Sequence, residues 1–556
     1  MKTERREQRA GAVTAPSAGH QRTTRAERAG LIALAIGVLF FCYWRQSLSA
    51  ALSSDGSANV LQAWAMLHGN VLLHGWRVSD VSFYPTELPQ YVLIEAVRGA
   101  ASPAVVHVAA AMTYTLLVLL AALLARGRAR GGEGLARALL AAGLMLTPQL
   151  NATGIVLLSP DHTGTAVPLL VTWLLIERAR PRWGVPVLAG LLLGWTMVAD
   201  TVVLLSGIIP LVVVALVRSV PGLSQNRGAA RGYELALAGA AAVAGVAGAF
   251  APRVIAALGG YRESPVPATL ALGQLQHGAW VTLQAFLELF GANVFGFGFF
   301  GAAPAIEVVF VALHLAGALA VVCATGVAFR RFFRPGELIT AVFAVAVLAN
   351  AVAYLVSDQS QNLLGAREMA AVLPLGAVLA GRLLGGKILA WASGTRSAIQ
   401  ARRGPWLPGT ALAILAVLVV GDLAALGYRA AQPAVPPANQ ALAGWLRAHG
   451  LRDGLASYWQ ASSTTADSGL RVQVSAVTPG RDGRLVPYEW ETDDAAYDPA
   501  RHDASFVVAA GTPGDPIPGA AVATFGRPQR VYRAAGYLVL VWDTNLLARL
   551  GHPGIG

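Results

Sequence analysis

Long apolar runs separated by short polar segments dominate the chain up to about residue 430. Most of these runs approach the roughly 20 apolar residues that a membrane-crossing helix needs. We therefore expect a mainly α-helical, polytopic membrane helix bundle with about 11 spans. The runs cover residues 29–51, 103–125, 135–156, 163–178, 184–200, 201–218, 233–256, 303–329, 337–356, 366–386 and 406–428.

Beyond the last run the pattern changes to short apolar stretches. The proline-rich stretch 432–437 predicts a stiff spacer. Residues 438–449 read as an amphipathic helix with Leu442 and Trp445 on one side. Strand-like runs follow, several of them separated by polar or helical segments, which predicts a small α/β domain over residues 433–556. The predicted strands are Leu455–Tyr458, Leu470–Val477, Ser505–Ala509, Arg530–Arg533 and Tyr537–Trp542.

Basic residues follow alternate apolar runs, on the side of a basic N-terminal tail, residues 1–28, that we expect to be disordered. The positive-inside rule then places the N-terminus in the cytoplasm and the C-terminal domain outside the cytoplasmic membrane. The membrane domain would span residues 29–430, with outer loops at 53–102 and 257–302. The basic residues are Arg126, Arg128, Arg130, Arg178, Arg180, Arg182, Arg218, Arg227, Arg231, Arg330, Arg331, Arg334, Lys387, Arg396, Arg402 and Arg403.

Composition agrees with a membrane protein. The chain is 55% hydrophobic and 13% charged, whereas soluble domains carry about 25% charged residues. The net charge of +12 does not indicate a nucleic-acid partner, because the basic residues follow the topology pattern. Cys42 and Cys323 lie inside apolar runs and imply no disulfide framework. No glycine-rich nucleotide-binding motif is present, so a nucleotide cofactor is not expected.

Asp55 is the first acid that this topology places on the outer face. It follows the first span and precedes a half-apolar segment, residues 60–67, that could lie flat in the headgroup region. A carboxylate between lipid and water suits an enzyme with one lipid substrate and one polar substrate. The alternative is that Asp55 only caps the following helix, since Ser and Asp are preferred at that position.

Other ionisable residues collect at the predicted outer ends of the spans, where such groups are functional candidates. Each has a structural alternative. Asp161 and Asp200 could cap or pair with helix N-termini. His162 could be a bystander, because one Asp–His pair lacks the ligand count of a zinc site. These candidates for substrate binding are Arg45, Asp161, His162, Asp200, Arg253, Arg367 and Glu368.

Arg367 is the candidate with the clearest functional signal. It lies on the predicted outer side, against the positive-inside bias, and at the predicted start of a helix, where the dipole repels a cation. Both of these unfavourable positions indicate that Arg367 has an anionic partner. A guanidinium binds phosphate bidentately, so an anionic ligand is one possibility. Local pairing with Glu368 or another acid is the other.

An early outer-loop Asp after the first span, a flat amphipathic helix, ten or more spans and an outer C-terminal domain resemble the GT-C superfamily of membrane glycosyltransferases. The most similar branch uses polyprenyl-phosphate sugars and includes protein mannosyltransferase-like and aminoarabinose transferase-like enzymes. The segments 457–462, with Asp467, Ser468 and Gly469, and 536–546 resemble the outer domain of bacterial members.

The resemblance implies that Asp55 serves as a catalytic base or a metal ligand. Asp161 would match the second outer acid of several families, so Asp55 and Asp161 are the candidate ligands of a possible divalent cation, Mg or Mn. Many members carry an acidic pair in the first loop, whereas Asp55 is followed by Gly56. This departure leaves the metal role open.

Two classes of function follow. A glycosyltransferase would move a sugar from a polyprenyl-phosphate donor to an outer glycan, lipid or protein, with Asp55 as base and Arg367 on the leaving phosphate. A transporter or flippase for a lipid-linked or amphiphilic substrate would instead need polar groups near the middle of the membrane. The predicted mid-span positions are mostly apolar, which favours the glycosyltransferase over the transporter. A non-catalytic envelope-assembly protein is a third possibility.

Overall fold

The computed structural model describes residues 18–158, 162–221, 228–264, 266, 269–296, 304–393 and 408–551. The protein is mainly helical, with a C-terminal sheet region, as predicted. The helices are α1 Ala18–Ser47, α2 Ser54–Leu67, α3 Leu88–Arg98, α4 Pro103–Arg126, α5 Gly131–Met145, α6 Thr153–Val156, α7 Ala166–Arg178, α8 Gly184–Ala199, α9 Ile209–Ser219, α10 Ala229–Ala257, α11 Leu275–Leu289, α12 Ala305–Arg330, α13 Leu338–Val356, α14 Val372–Ala392, α15 Pro408–Ala430, α16 Gln440–Ala448, α17 Tyr458–Asp467, α18 Ile517–Phe525 and α19 Leu547–Leu550.

Every predicted apolar run coincides with one of these helices or with a bent pair of them. Within the described residues, seven helices are long and apolar enough to cross a membrane. Helices α5 and α6 meet the same criterion together, although they are bent by 74°. Helices α8 and α9 are apolar but shorter, and a π-helical turn, Leu204–Ile208, precedes α9. The protein is therefore a multi-pass membrane protein.

The bend between α5 and α6 is stabilised by buried polar side chains from other helices. Backbone groups freed at a helix break inside a bundle must find partners within the protein. Here four helices supply them, and a buried ion pair between Arg429 and Glu307, 2.8 Å long, is part of the set. The contacts are Tyr43 to Leu146 O (3.0 Å), Tyr114 to Met145 O (3.0 Å), Gln46 to Pro148 O (3.0 Å), Leu150 N to Glu307 (2.9 Å) and Arg429 to Thr147 O.

Contacts join some of the basic segments that were predicted to share one side of the membrane. Arg128, after α4, donates to the carbonyl of Glu177 in α7 at 2.8 Å. Arg218, near the end of α9, donates to the carbonyl of Arg334, after α12, at 3.2 Å. The side of the membrane on which these segments lie stays a prediction, and Arg227, Arg396, Arg402 and Arg403 lie outside the described residues.

Helix α1 begins earlier than predicted. Residues 1–17 of the predicted disordered tail lie outside the described residues, whereas residues 18–28 belong to α1. This corrects the tail boundary at residue 28. The Ala, Glu and Arg residues of the segment are good helix formers, so they extend the apolar helix towards the N-terminus.

Helix α14 begins later than the predicted run at 366–386. Residues Leu363–Met369 form a 3₁₀ segment instead, and α14 starts only at Val372. The Asn362 side chain caps the 3₁₀ segment at Leu364 N, and a Cβ on Gly365 would lie 2.3 Å from the carbonyl oxygen of Gln359. Only glycine permits this close approach, which holds the segment away from the helix.

The C-terminal region contains a six-stranded mixed sheet of order β5-β4-β3-β7-β9-β8, with an apolar core on each face. All five predicted strands are present, as is the amphipathic helix, here α16. Two bounds were wrong, because β3 ends at Ala456 with Tyr458 already in α17, and β4 begins only at Gln473. Two short strands were not predicted, β5 and β6. The strands are β3 Asp453–Ala456, β4 Gln473–Pro479, β5 Leu485–Pro487, β6 Thr492–Asp493, β7 Ala504–Ala509, β8 Arg530–Ala534 and β9 Tyr537–Val541.

A second, three-stranded sheet joins the C-terminal region to the bundle. Strand β1, Trp76–Val78, lies between β2, Arg262–Glu263, and β6. These strands come from the first predicted outer loop, the second predicted outer loop and the C-terminal region. Arg77 reinforces the junction with an ion pair of 2.6 Å to Glu489. The C-terminal region therefore packs against part of each of these two loops.

Helix α2 is largely covered by other parts of the protein. It packs against α3, α4 and the C-terminal helix α17, and most of its first ten residues are buried. The small residues Ser54, Ser57 and Ala58 allow the close approach, and the Ser54 hydroxyl donates to the carbonyl of Trp459 at 2.9 Å. Protein contacts cover the start of α2, whereas Trp64, Met66 and Leu67 stay partly exposed. The orientation of this helix in the headgroup region stays a prediction.

Candidate active site

A cavity of about 940 Å³ lies between the helix bundle and the C-terminal region. One wall is apolar and comes from the turns before α9 and from α13, with Leu204, Leu205, Ile209 and Ala353. The C-terminal region supplies another part of the lining, in which aromatic and polar residues predominate. Asp55, His162, Arg367 and Glu368 also line the cavity, so it brings four of the predicted candidates together.

Asp55 does not cap helix α2. Ser53 occupies the cap position, and its side chain accepts from the backbone N–H of Gly56 at 3.2 Å. Asp55 lies in the first helical turn, and its half-buried carboxylate reaches across to two other segments. Its Oδ2 is 3.4 Å from Nη1 of Arg367, and its Oδ1 accepts from the hydroxyl of Tyr458. The capping interpretation is therefore wrong, because Ser53 already satisfies the helix terminus.

Arg367 lies in the 3₁₀ segment before α14, so the argument from the helix dipole does not apply to it. It is paired with acids, as one of the two predicted alternatives requires. Besides Asp55, it contacts Glu368 with 3.9 Å between Nε and Oε1. The Arg367 side chain is nevertheless 40% exposed and lines the cavity. A ligand in the cavity can therefore reach the guanidinium.

Tyr458, the first residue of α17, connects Asp55 to the C-terminal region. Its hydroxyl contacts Asp55 Oδ1 and lies 2.6 Å from Oε2 of Glu491. Burial, with the carboxylates of Glu491 and Asp55, raises the pKa of Tyr458 well above its ordinary value. The hydroxyl therefore keeps its proton and acts as a hydrogen-bond donor. Its ring packs 5.6 Å from that of Tyr488, another residue of the cavity wall.

His162 is a buried link between two carboxylates. Its Nδ1 is 2.8 Å from Oδ2 of Asp200, and its Nε2 is 2.9 Å from Oε2 of Glu368. Burial by itself lowers the pKa of His162, but the two carboxylates outweigh burial and raise it well above its ordinary value. Both ring nitrogens therefore carry protons, and His162 holds the chain before α7, the turn after α8 and the segment of Arg367 together.

Asp200 combines two roles. Its Oδ1 accepts from the backbone N–H of Val202 at 2.8 Å in the turn after α8, while Oδ2 binds His162. Asp200 is the C-cap of α8 and not the N-cap of the next helix, which is preceded by Val203, so the capping interpretation is wrong. Burial raises the pKa of Asp200, but His162 outweighs this effect and lowers it. His162 is held in the left-handed region, with φ of 57°, which is uncommon for a residue other than glycine. The prediction that His162 is a bystander is thus wrong, because both its nitrogens are engaged.

The remaining predicted residues lie elsewhere. Asp161 lies outside the described residues. Arg45 donates to the carbonyls of Ala430 and Gln432, and therefore ties α1 to the end of α15. Arg253 is exposed on α10, with its guanidinium 5.3 Å from the ring of Phe250. Neither arginine lines the cavity. We therefore assign no substrate contact to Arg45 or Arg253, since their surroundings account for them.

The described residues around Asp55 do not fit a divalent cation. Such a cation needs several oxygen ligands, yet both Asp55 oxygens have protein partners in Arg367 and Tyr458. No group of three His, Cys, Asp or Glu side chains is arranged to hold a metal in the described part of the chain. Asp161, the other predicted ligand, falls outside that part.

The sequence did not reveal several residues of the site. Tyr458 and Glu491 are more than 400 residues beyond Asp55, and no spacing rule connects them with it. Asp80 also lines the cavity, and burial, followed by the neighbouring Glu368 carboxylate, raises its pKa. The sequence does place the acid Glu491 directly after the aromatic residue Trp490. Such a pair alone predicts no role.

No protein-family model and no curated protein matches the chain in sequence. In three dimensions it is similar to the archaeal oligosaccharyltransferase AglB from Archaeoglobus fulgidus, solved with an inhibitory peptide and a dolichol-phosphate. The identity is 13%, the TM-score is 0.43, and the match covers 85% of this chain and 69% of that chain.

It is also similar to ArnT from Cupriavidus metallidurans in the apo state. The identity is 16%, the TM-score is 0.48, and the match covers 95% of this chain and 99% of that chain. AglB and ArnT are GT-C membrane glycosyltransferases, the superfamily that the sequence resembles. Similarity at this level assigns neither a reaction nor a substrate to this chain.

Proposed function

We propose that this protein is a membrane glycosyltransferase that moves a sugar from a polyprenyl-phosphate donor to an acceptor hydroxyl on the outer face of the cytoplasmic membrane. The observation that carries the proposal is the cavity that Asp55 and Arg367 line together with an apolar part and a polar part. A lipid-linked donor and a polar acceptor need two such parts, with a base and a phosphate ligand beside them.

The donor would enter along the apolar wall. Leu204, Leu205, Ile209 and Ala353 belong to the helices of the bundle and suit a prenyl chain. The phosphate would then meet Arg367, whose guanidinium fork binds phosphate oxygens bidentately. The chain needs no nucleotide for this reaction, because the sugar–phosphate bond of the donor already supplies the free energy.

Asp55 would act as the general base. The acceptor oxygen attacks the anomeric carbon, a new carbon–oxygen bond forms, and the bond to the phosphate breaks with the electron pair leaving on phosphate. The hydroxyl proton passes to Asp55. General base catalysis typically contributes about 10²–10⁴-fold. Arg367 would stabilise the charge that develops on the leaving phosphate.

The pairing of Arg367 with Asp55 would couple donor binding to the accessibility of the base. The donor phosphate is a diester with one negative charge, like the Asp55 carboxylate, but it offers Arg367 two oxygens for a bidentate contact, whereas Asp55 contacts it through one oxygen. If Arg367 turns to the phosphate, Oδ2 of Asp55 becomes accessible to the acceptor hydroxyl. The base would then be exposed only when the donor is in place, which protects the site from unproductive protonation.

We also propose the topology and the domain limits that the charge pattern predicts. The chain would cross the membrane eleven times, with the short helices α7, α8 and α9 and the bent pair α5–α6 completing the set. The N-terminus would be cytoplasmic. Residues 29–430 would form the membrane domain, and residues 433–556 an extracytoplasmic domain. Membrane lipids and an outer glycan, lipid or protein acceptor are the expected partners.

The direct test uses purified protein in lipid nanodiscs with a panel of polyprenyl-phosphate-linked sugars. We expect the parent protein to release polyprenyl phosphate only when an acceptor mixture is added. We expect the Asp55→Asn variant to lose this release. Mass spectrometry of envelope glycans with and without the gene would identify the product. Lipid or amphiphile translocation by vesicles that contain the protein, with no release of polyprenyl phosphate, would overturn the proposal in favour of a transporter.

A further inference from the structure

A row of aromatic side chains belongs to the part of the cavity lining that comes from the C-terminal region. The ring centres of Trp459 and Tyr458 are 5.3 Å apart, and those of Tyr458 and Tyr488 are 5.6 Å apart, so the three rings are continuous. We call these three residues the aromatic platform. Tyr458 is buried, whereas Trp459 is 64% exposed.

The exposure of Trp459 indicates that a ligand covers it. Trp459 is the most exposed large apolar residue of the described part of the C-terminal region, residues 433–551. An indole carries a large apolar area, and a ligand that removes this area from water binds more tightly for it. Because Trp459 lines the cavity, a molecule bound in the cavity can provide that cover.

The position of Trp459 is fixed relative to the helix that carries Asp55. The hydroxyls of Ser54 and Ser463 donate to the carbonyl of Trp459 at 2.9 Å and 3.0 Å. The preceding residue, Tyr458, donates to Oδ1 of Asp55. Two neighbouring pairs of residues, 54–55 and 458–459, therefore hold the proposed base and the platform together. A molecule that stacks on Trp459 is thus held at a fixed place relative to Asp55.

The contacts of Asp55 assign the platform to the acceptor. Arg367 contacts Oδ2 of Asp55, whereas Tyr458 contacts Oδ1. The donor is assigned to Arg367 through its phosphate and to the apolar wall through its prenyl chain. In a direct displacement, the acceptor hydroxyl and the leaving phosphate lie on opposite sides of the anomeric carbon. The acceptor therefore belongs at the other oxygen of Asp55 from Arg367, where the platform begins.

The chemistry of the lining favours a sugar over the other acceptor classes. Asp80 is exposed and lines the same cavity, and carboxylate oxygens accept hydrogen bonds from hydroxyl groups. A pyranose ring has C–H groups on its face and hydroxyls on its rim, so it can cover an indole and donate to carboxylates at the same time. A lipid chain has no such donors, and peptide carbonyls cannot donate.

Stacking would also orient the attacking group. The hydroxyls of a sugar are attached to the rigid ring that contacts the indole, so the contact fixes their direction towards Asp55. Correct orientation of the two reacting groups lowers the barrier of a bimolecular reaction. A serine or threonine hydroxyl belongs to a flexible peptide, and an aromatic platform would not fix its direction.

We propose that the acceptor is a carbohydrate, and that one of its sugar rings stacks on Trp459 with a hydroxyl directed at Asp55. This inference rests on the proposed function and names the acceptor class that the proposed function leaves open. The bundle would then supply the site of the lipid-linked donor, and the C-terminal region would supply the site of the acceptor.

The first test measures binding without turnover. The full chain with Asp55→Asn, in lipid nanodiscs, is titrated by calorimetry with tetrasaccharides of glucose, of mannose and of N-acetylglucosamine, and with a peptide that contains serine and threonine. We expect a tetrasaccharide to bind and the peptide not to bind. Adding Trp459→Leu should weaken binding by about 10–100-fold, as for an aromatic residue at the centre of a binding site.

Two further variants separate stacking from loss of folding. Trp459→Phe keeps an aromatic face and should weaken binding much less than Trp459→Leu does. Trp183→Leu is the matched control, because Trp183 is 79% exposed and lies outside the cavity. It should bind the tetrasaccharide as tightly as the protein with Asp55→Asn alone. Equal binding by the Trp459→Leu and Trp183→Leu proteins would overturn the proposal, as would a panel in which no tetrasaccharide binds.

Transfer kinetics with Asp55 intact distinguish this proposal from the proposed function. Trp459→Leu should raise KM for the acceptor about 10-fold or more and leave KM for the donor within about twofold. Sugar transfer with a parental acceptor KM in Trp459→Leu, or transfer to the peptide alone, would keep the glycosyltransferase and reject the carbohydrate site. Tetrasaccharide binding that depends on Trp459, in a protein that releases no polyprenyl phosphate, would keep the site and reject the glycosyltransferase.

Discussion

The Nη1 atom of Arg367 lies 3.4 Å from Oδ2 of Asp55, although 312 positions separate the two residues in the chain. The proposed base and the proposed phosphate ligand are therefore partners before any substrate arrives. The Arg367 side chain is 40% exposed, so this ion pair contributes little to stability, typically about 0–1 kcal/mol. Substitutions at either position should thus change activity much more than folding, which makes both residues suitable for functional tests.

Asp55→Asn should reduce sugar transfer by about two to four orders of magnitude, because it removes the base and the charge while keeping the shape. The measurement is release of polyprenyl phosphate in nanodiscs, with membrane abundance determined in parallel. Ser53→Ala is the matched control, since it removes the actual helix cap at a cost of about 1 kcal/mol and leaves the carboxylate. Normal product formation by a well-expressed Asp55→Asn protein would eliminate Asp55 as the base.

Arg367→Lys should weaken the use of donor more than the use of acceptor. Lysine keeps the positive charge but loses the bidentate fork that recognises phosphate. We expect KM for the donor to rise and kcat to fall, with KM for the acceptor nearly unchanged. Arg77→Lys is the control, because Arg77 makes similar ion pairs in the three-stranded sheet outside the cavity. Equal effects of the two substitutions on donor KM would contradict a specific role for Arg367.

His162→Gln should destabilise the protein by about 3–5 kcal/mol, since it leaves the buried Asp200 carboxylate without its cation. Thermal unfolding in detergent would measure the loss. The double variant His162→Gln with Asp200→Asn removes both charges and should recover part of the stability. An unchanged unfolding temperature in the single variant would mean that the pair does not hold the site together.

The pH dependence of stability follows from the same group. The pKa of His162 is raised in the folded protein, so its contribution is complete below about pH 6.5 and is lost as the pH rises through the raised value. The pKa values of Asp200 and Glu368 are lowered, so their contributions are complete above about pH 4 and are lost as the pH falls through the lowered values. We expect the highest stability from this group at about pH 5–6. Unfolding temperatures measured over pH 3–10, compared with the double variant, test this window.

Cysteine labelling in intact cells tests the topology. In a background with Cys42 and Cys323 replaced by alanine, a membrane-impermeant maleimide should modify Asp482→Cys, in an exposed turn of the C-terminal region. Arg334→Cys, exposed at the basic end of the bundle, should react only after permeabilisation. The reverse pattern would place Asp55 on the cytoplasmic face and remove the proposed outer acceptor.

The sequence predicted the helices and strands well, because periodicity and apolar length report directly on burial. It did not predict the 3₁₀ segment around Arg367. That segment depends on the close approach of Gly365 to the carbonyl of Gln359. The sequence alone does not show that these two residues come together. It also did not predict the contact of α2 with α17, because the half-apolar pattern of residues 60–67 fits a lipid contact and a protein contact equally well.

The site was predicted in part. Asp55, Arg367, Glu368 and His162 were found because charged groups at the ends of apolar runs are conspicuous. Tyr458 and Glu491 lie in a region where polar residues are common, so neither has a local signal. The same rule failed for Arg45, because a cation at a helix end can equally bind backbone carbonyls of a neighbouring helix.

The three-stranded sheet also sets the order in which the proposed active site can assemble during synthesis of the chain. Strand β1 leaves the ribosome early, β2 follows only after α10, and β6 comes near the end of the chain. Until Thr492 and Asp493 emerge, the first loop lacks one of its two partner strands, and neither Tyr458 nor Glu491 has reached Asp55. A nascent chain whose helices are already inserted would therefore remain inert, and sugar transfer would begin only with the completed polypeptide.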